Sequence, residues 1–431
     1  MKKYKLGDYL TMIRNGAIIQ QKKGARGIPI TRIETLSNNM FNRNRLGYAD
    51  VTDSEPYKDY ILEDKDLIMS HINSRQFLGR TVLYQKRENE EIIHGMNVLR
   101  IQTNSKLLNP VYAYYLFNTA YFKKLIDCIR KDAINQSSLS IADIKNIELY
   151  IPDISLQKNI VSILYTLDRK IALNRAINDN LEAMAKQLYD YWFVQFDFPD
   201  ANGKPYKSSG GKMVWNEKLK REIPEGWEVA KVKDVALTYS GGTPTSTNRD
   251  YYDEGNIPWV NSGDLNSPII TSTSYYITEK GLNSSSAKLY PPKTILVALY
   301  GATAGKVSLL SFEACSNQAV CGVISKENVM TTYIRYYLTS LYEHFITLSS
   351  GSARDNISQD TIKNIALSIP QHELLKNYSE IVNPIINKII ANQHELETLT
   401  KLRNELLPLL MNGQVKVGVE RSRLNNDLSH Y

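Results

Sequence analysis

The 431-residue sequence has only three cysteines, Cys128, Cys315 and Cys321. Their spacing fits neither a metal-binding motif nor a disulfide framework, which indicates a reducing compartment. No apolar run approaches the ~20 residues of a transmembrane helix, and the basic start Met1–Lys3 leads into no apolar signal segment. These absences argue against a secreted or membrane protein and predict a soluble, cytoplasmic one.

Signatures of enzymatic chemistry are also missing. Gly301–Lys306 resembles a phosphate-binding loop but has one residue too few between its glycines, and Val307 stands where Mg²⁺ requires a hydroxyl. We therefore predict a strand-to-strand turn. Asn109–Tyr112 departs from the Asn-Pro-Pro-Tyr motif of amino-methyltransferases at Val111 and predicts a helix start. No dinucleotide loop follows a strand, and the histidines are scattered. We predict no catalytic residue, no metal site and no cofactor.

The composition is that of a folded protein with a mild basic bias. Hydrophobic residues make up 42% of the chain and charged residues 23%, which supports real cores, and the length predicts at least two domains. The formal net charge is +7 and the pI is near 8.9. This bias favours an anionic partner without establishing one.

One stretch of the sequence occurs twice. Ile144–Pro152 and Ile362–Pro370 share the pattern Ile-Lys-Asn-Ile, then Leu, Ile and Pro, at a constant offset of 218 residues. The offset continues into the long helical pattern that follows each copy. Such constant spacing indicates that a unit consisting of a domain and a long helix was duplicated.

Both long helices carry a heptad pattern. The first is predicted over about 40 residues from Ile154, and apolar residues at two positions per heptad form a seam for another helix. The seam comprises Leu164, Leu167, Ile171, Asn174, Asn178, Leu181 and Leu188 in the first helix, and Val382, Ile385, Ile389, Asn392, Leu396, Leu399 and Leu406 in the second. We predict antiparallel packing with Asn392 beside Asn178 or Asn174, and Pro384 and Pro408 are expected to kink or end the second helix.

Outside these helices the pattern is mixed α/β. Strand-like runs alternate with turns, and one helix is predicted in each copy, over 111–129 and 331–347. The predicted domains are 1–153 and 227–370, each followed by a long helix, at 154–195 and 371–413, with a linker at 196–226 and a tail at 414–431. Two similar domains on an antiparallel helix pair would be related by a pseudo-twofold repeat. Such a protein could meet a DNA duplex at two places, as dimeric readers do.

Short motifs along the whole chain support this organisation. They are WFVQFDFP at 192–199, GKPYKSSGGKMV at 203–214, REIPEGWEV at 221–229, GGTPT at 241–245, IPWVNSGDL at 257–265, GATAGKV at 301–307, NQAV at 317–320 and LLPLLMNGQV at 406–415. In this order and on a duplicated framework, the chain resembles the specificity (S) subunit of a Type I restriction–modification system. The first domain departs from the pattern, with ITRIETL at 30–36.

The resemblance implies a fold and a set of partners. It implies two mixed α/β target-recognition domains separated by two long antiparallel helices. Each domain would read one half of a bipartite double-stranded DNA target, and the helices would set the gap. The subunit would not be catalytic. It would direct two methyltransferase subunits, which use S-adenosylmethionine, and translocase–nuclease subunits, which use ATP and Mg²⁺.

Two alternatives belong to other functional classes. A fused methyltransferase–specificity enzyme would need a longer chain and the missing motifs. A coiled-coil scaffold could join protein partners without reading DNA, and salt-sensitive binding of a bipartite duplex would distinguish it from a DNA reader.

Polar and basic loops supply the candidate DNA contacts. Small hydroxyls and backbone N–H groups suit phosphates, whereas amides and carboxylates can read base edges. The candidates in the second domain are Thr243, Thr245, Ser246, Asn248, Arg249, Asn261, Ser262, Asp264, Tyr300, Lys306, Gln318 and Arg354. Those in the first domain are Lys22, Lys23, Arg26, Arg32, Arg75 and Arg80, with Arg43 and Arg45 nearby. For Trp259, core packing is the favoured role.

Overall fold

The chain divides into two compact units. A computed structural model describes residues 3–22, 27–37, 39–134, 136–350 and 357–415. The first unit comprises Met1–Lys170 and Leu399–Tyr431, and the second comprises Ile171–Thr398. Each long helix therefore contributes residues to both units.

A four-stranded antiparallel sheet forms the centre of the first unit. Its strand order is Thr81–Leu83, Leu67–Ser70, Val98–Thr103, Leu10–Asn15. Every residue of Leu67–Ser70 is buried, which explains the continuous apolar run at this central strand. The shorter strands are Tyr4–Lys5, Gln21–Lys22, Ile28–Ile30, Leu36–Ser37, Met40–Phe41, Gly47–Ala49, Ile72–Asn73, Lys131–Asp132, Ser137–Ser138 and Glu148–Leu149.

The helix predicted over 111–129 is two helices, Pro110–Phe117 and Ala120–Ile129. The first begins as predicted, because the Asn109 side chain accepts hydrogen bonds from the first free backbone N–H groups. The prediction of one helix was wrong because Thr119 caps a new N-terminus, its hydroxyl accepting from the Phe122 N–H at 3.1 Å. The remaining helical segments are Leu6–Tyr9, Ile33–Thr35, Arg43–Arg45, Glu55–Tyr60 and Ile141–Lys145.

The second unit repeats this sheet strand for strand. Its order is Ala236–Ser240, Val320–Ser325, Ile295–Ala298, Val307–Leu310, with Ile269–Ile270 added in parallel at the edge. The predicted turn at Gly301–Gly305 joins two antiparallel strands, and both glycines have positive φ, +85° and +78°. The shared order confirms the predicted internal repeat. The other strands are Met213–Asn216, Arg221–Pro224, Glu228–Lys231, Ile257–Val260, Tyr276–Ile277, Cys315–Ser316 and Ala366–Ile369.

The helix predicted over 331–347 is also broken. Thr331–Ser340 ends where the Leu341 N–H bonds the Leu338 carbonyl, and Tyr342–Ser350 begins a new segment that buries Phe345 completely. The remaining helical segments of the second unit are Val232–Val235, Arg249–Tyr251, Ser262–Asn266, Glu279–Asn283, Asn328–Met330 and Gln359–Asn364.

The segment predicted to be a linker is folded into the second unit. Residues 213–216 and 221–224 pair as an antiparallel hairpin. Phe198 stacks on Tyr206 and Trp227, with ring centroids 4.7 and 5.5 Å apart. The turn residues that suggested a linker therefore form tight turns beside a buried aromatic cluster.

The two long helices are Ile154–Tyr189, followed by a π-helical turn at Asp190–Val194, and His372–Met411. The second helix continues past Pro384 to Met411, so Pro384 does not end it. Burial of Val382 and Ile389 on either side of Pro384 offsets one lost backbone hydrogen bond. Pro408 lies in the last turn. No helix among the described residues has the length and apolarity needed to cross a membrane.

The helices run in opposite directions. In the second unit Asn392 Nδ2 donates to Asn178 Oδ1 at 3.0 Å, and Asn174 Nδ2 donates to Glu395 at 2.8 Å. In the first unit the Arg403 guanidinium donates to Asp168 at 3.1 Å. The predicted contact of Asn392 with Asn178 is confirmed. Every predicted seam residue in both helices is buried or half-buried.

Candidate nucleic-acid interface

The glycine pair at the start of the GGTPT motif lets a loop lie directly on a neighbouring turn. The Gly241 N–H bonds the Val320 carbonyl at 3.0 Å, and the Gly242 N–H bonds the Ser316 carbonyl at 2.9 Å. An added Cβ at Gly241 would lie 2.0 Å from the Asn317 carbonyl oxygen, so a side chain does not fit. The exposed side chains on this loop include the predicted contacts Thr243, Thr245, Ser246 and Arg249.

Trp259 holds the same loop from the buried side. Its indole N–H donates to the Gly242 carbonyl at 3.0 Å, and the side chain is buried. The Tyr252 hydroxyl donates to the Pro244 carbonyl at 2.6 Å, and the Tyr252 ring packs edge-on against the indole. Trp259 therefore packs in the core, as favoured from the sequence.

Asn261 and Asp264 lie beside the loop but bind protein groups. Asn317 Nδ2 donates to Asn261 Oδ1 at 2.9 Å. Asp264 Oδ2 accepts from the Asn261 backbone N–H and from the Thr273 hydroxyl, both at 3.0 Å. The carboxylate oxygen predicted to face a base edge thus stabilises the start of Ser262–Asn266. Sequence reasoning missed Thr273, because nothing in the sequence marks its pairing with a carboxylate.

Two further candidates complete a connected polar surface. Lys306 Nζ donates to Asn266 Oδ1 at 2.5 Å, and the Thr243 hydroxyl donates to Gln318 Oε1. We call this set the recognition surface; it comprises Thr243, Asn261, Ser262, Asp264, Asn266, Lys306, Asn317 and Gln318. Tyr300 is exposed, and Asn248 caps Arg249–Tyr251 by accepting from the Asp250 N–H.

Basic candidates in the first unit are largely held by the protein. Arg32 donates to Gln21 at 2.5 Å, and Arg80 donates to the Leu36 carbonyl at 3.1 Å while its guanidinium lies over the Phe77 ring. Burial lowers the pKa of Arg80. Arg75 is exposed, 4.0 Å from Asp127. Lys23, Arg26 and Arg354 lie outside the described residues, as does the Lys22 side chain.

Arg43 is part of a cluster that the sequence did not reveal. Its guanidinium binds both Glu90 oxygens, at 2.6 and 2.7 Å, and the Tyr84 hydroxyl donates to the same carboxylate. The hydrogen bonds from Arg43 lower the pKa of Glu90 to about 2. Arg43 therefore ties two loops together, whereas Arg45 is exposed.

Burial raises the pKa of Cys315 and Cys321 to about 12, so neither thiol supplies a thiolate at neutral pH. Among the residues that the structure describes, no group of three or more His, Cys, Asp or Glu side chains could hold a metal ion.

One protein-family model matches both halves of the chain. The model of the Type I restriction modification DNA specificity domain matches residues 1–183 and again residues 224–401. The chain belongs to this family. The predicted resemblance and the role in DNA specificity are thereby confirmed.

Relatives of the specificity subunit match over most of the chain. A putative type I restriction enzyme MjaX specificity subunit from Methanocaldococcus jannaschii is 28% identical over 415 residues, covering 96% of this chain and 93% of the relative. The HindI specificity subunit of Haemophilus influenzae is 25% identical over 406 residues, covering 81% and 86%. The crystal structure of the S subunit from M. genitalium has the same fold, with a TM-score of 0.62, 13% identity and 95% coverage of each chain. The predicted fold class is confirmed.

Proposed function

We propose that the chain is a non-catalytic specificity subunit in which each unit binds one half of a bipartite DNA target. The observation that carries this proposal is the repeated strand order, together with one family match in each half. Two copies of one scaffold supply two binding surfaces, and a duplex offers two half-sites to such a protein.

The two half-sites are expected to differ in sequence. The same frame carries Arg80 in the first unit, bound to the Leu36 carbonyl, and Lys306 in the second, bound to Asn266. These basic residues share a position before the corresponding strand, but the loops around them have different lengths and side chains. Variable loops on a shared scaffold are how one fold reads different targets.

The long helices also carry an exposed apolar stripe that suits a partner helix. Leu173, Met184 and Tyr191 are 61%, 56% and 37% exposed, and their spacing of 11 and 7 residues puts them on one helix face. The duplication repeats the stripe 218 residues later at Ala391, Leu402 and Leu409, all exposed. Two like stripes suit two copies of one partner, and we assign them to methyltransferase subunits that use S-adenosylmethionine. Translocase–nuclease subunits, using ATP and Mg²⁺, would join that complex.

Methyl transfer with and without partners tests this proposal. The purified chain alone should transfer no methyl group from radiolabelled S-adenosylmethionine to a target duplex, and transfer should begin when methyltransferase subunits are added. Binding of the duplex should weaken steeply between 50 and 200 mM salt, because phosphate contacts release counterions. Methyl transfer by the chain alone, or no DNA binding by the complex, would overturn the proposal.

Stoichiometry tests the docking stripes separately. Met184→Glu should leave one methyltransferase subunit per chain, and Met184→Glu with Leu402→Glu should leave none. Ala172→Glu is the matched control, since Ala172 is exposed on the same helix but lies about 120° from Met184 around the axis. Two bound subunits in the double variant would refute the assignment.

A further inference from the structure

The backbone around Gln318 is fixed on both sides while its side chain stays exposed. Asn317 Oδ1 accepts from the Ala319 N–H at 3.1 Å, and the Val320 N–H bonds the Asn317 carbonyl at 3.1 Å. The Asn317 amide nitrogen is used as well, on Asn261. Asn317 is therefore the anchor of this turn, and Gln318 is the residue that the turn presents to solvent.

Thr243 sets the orientation of the Gln318 amide. Its hydroxyl donates to Gln318 Oε1, so Oε1 faces the loop that Gly241 and Gly242 hold against the turn. A side-chain amide has two acceptor lone pairs and two N–H donors. The contact with Thr243 uses one lone pair, which leaves one acceptor and both donors of Gln318 for a ligand.

One acceptor beside a donor matches one base edge in particular. In the major groove adenine presents the N6 amino group as donor and N7 as acceptor, and glutamine binds both together. Guanine presents two acceptors, N7 and O6, so Oε1 would face O6 without a hydrogen. Asn261, Asp264 and Lys306 on the same surface have fewer hydrogen-bonding groups left for a base, because each already binds a protein group.

We propose that Gln318 reads an adenine in the half-site bound by the second unit, and that Thr243 is the positioning residue that orients its amide. This inference rests on the proposed function, because it names the base that one surface of a DNA reader recognises. Gln318 touches the base, whereas Thr243 acts through Gln318.

Base substitution across the target tests the assignment. The complex with methyltransferase subunits is assayed on the duplex whose sequence is recovered from the host methylome, and on duplexes changed at one base pair at a time. Gln318→Ala should lower discrimination by about 5- to 150-fold at one A·T pair of one half-site, the range expected for a lost bidentate contact. Gln318→Arg should shift preference at that pair towards G·C, since arginine binds guanine O6 and N7.

The second residue and the controls separate a reading role from a structural one. Thr243→Val should reduce discrimination at the same base pair, and Thr243→Ser should restore it. Gln371→Ala, at an exposed glutamine of the same unit, should leave every position unchanged. Discrimination in the other half-site and the melting temperature should stay at wild-type values in all variants.

Two different failures are distinguishable. If the wild-type complex reads a bipartite target and Gln318→Ala reads it with the same selectivity at every base pair, the inference is wrong and the proposed function stands. Loss of discrimination at a G·C pair instead of an A·T pair would also overturn it. If the wild-type complex shows no sequence preference, the proposed function itself fails.

Discussion

Buried and half-buried polar side chains pair across the long helices. Asn178 and Asn392 are each less than a tenth exposed and bond one another, and Asp168 accepts from both Arg403 and the Tyr115 hydroxyl. Apolar seam residues can slide past one another by a heptad at little cost, but a buried amide must find its partner. These residues therefore specify register at the expense of stability.

Substituting one member of the asparagine pair tests this role. Asn392→Leu should lower the free energy of unfolding by about 1–3 kcal/mol, because Asn178 Oδ1 is left buried without the donor that Asn392 supplies. The double change to leucine at both positions should recover the loss or exceed wild-type stability. Denaturant unfolding measures both variants. A double variant less stable than Asn392→Leu would contradict this role.

A buried histidine gives the first unit a defined pH dependence. His94 is fully buried, its Nε2 lies 2.7 Å from the Val98 carbonyl, and burial lowers its pKa to about 3. In the unfolded chain its pKa is about 6.5. Below pH 6.5 the unfolded chain therefore binds a proton that the native state does not, and stability falls as the pH falls.

The expected loss from His94 is about 2 kcal/mol between pH 6.5 and pH 5. His71, whose pKa burial also lowers, adds to the loss in the same direction. Glu90, with a pKa of about 2, contributes only at lower pH, where its unfolded form takes up a proton. Unfolding measured across this range should show a smaller slope in His94→Asn, and the same slope as wild type in the exposed control His344→Asn. Equal slopes in all three proteins would refute the assigned contribution of His94 to the pH dependence of stability.

At the scale of elements, the two halves of the helix pair are held by separate polar contacts. Asp168 meets Arg403 in the first unit, and Asn178 meets Asn392 in the second. Ten residues separate the two positions on the first helix and eleven on the second, so both contacts belong to one antiparallel register. Changing the length of one helix alone must break one of them.

Matched deletions therefore test whether helix length sets the gap in the DNA target. Removing residues 170–176 together with 393–399 takes one heptad from each helix and keeps both polar contacts. The gap should shorten by about three base pairs, since seven residues span about 10 Å and a base pair about 3.4 Å. The specified bases should not change. Either deletion alone should lower stability, and an unchanged gap in an active double deletion would show that the helices do not set it.

Periodicity predicted the long elements well and the short ones less well. The heptads, the duplicated strands and the Asn109 cap follow from local patterns that packing reinforces. The breaks at Thr119 and Leu341, and the passage of a helix through Pro384, depend on contacts made after folding. Tertiary packing determines whether a helix breaks or continues at such residues, and local helix propensity carries no information about that packing.

Residue type indicated the members of the candidate site, but it did not indicate the hydrogen bonds between them. Thr243, Lys306 and Gln318 do belong to one connected surface. Which of these groups bind the protein and which remain open depends on pairs 40 to 75 residues apart in sequence. Spacing carries no signal for such pairs, and the hydrogen bond from the Arg80 guanidinium to the Leu36 carbonyl could not be predicted from it.

At the scale of the whole molecule, duplication gives each unit its own sheet and its own loops. The core of the first unit also includes Ile160, Leu164 and Leu410 from the long helices. A recognition domain can therefore be exchanged only if the new domain keeps the apolar surface that meets these side chains.

Exchange of residues 1–150 for the corresponding domain of another specificity subunit should change one half-site and leave the other intact. The reason is that the second unit keeps its sheet, its loops and its recognition surface. The methylated target of the chimera, read from genomic DNA, measures the outcome. The control is a gene with synonymous codons over residues 1–150, which encodes the unchanged protein. A change in both half-sites of the chimera would refute modular recognition.

The most direct test of the central claim is single-molecule methylome sequencing of the host with and without this gene. One bipartite motif, with two unlike half-sites and a fixed gap, is expected to be methylated when the gene is present. Methylation of that motif should disappear on deletion and return when the gene is supplied on a plasmid. Methylated motifs that are identical in all three strains would contradict the assignment of this chain as the subunit that reads the DNA target.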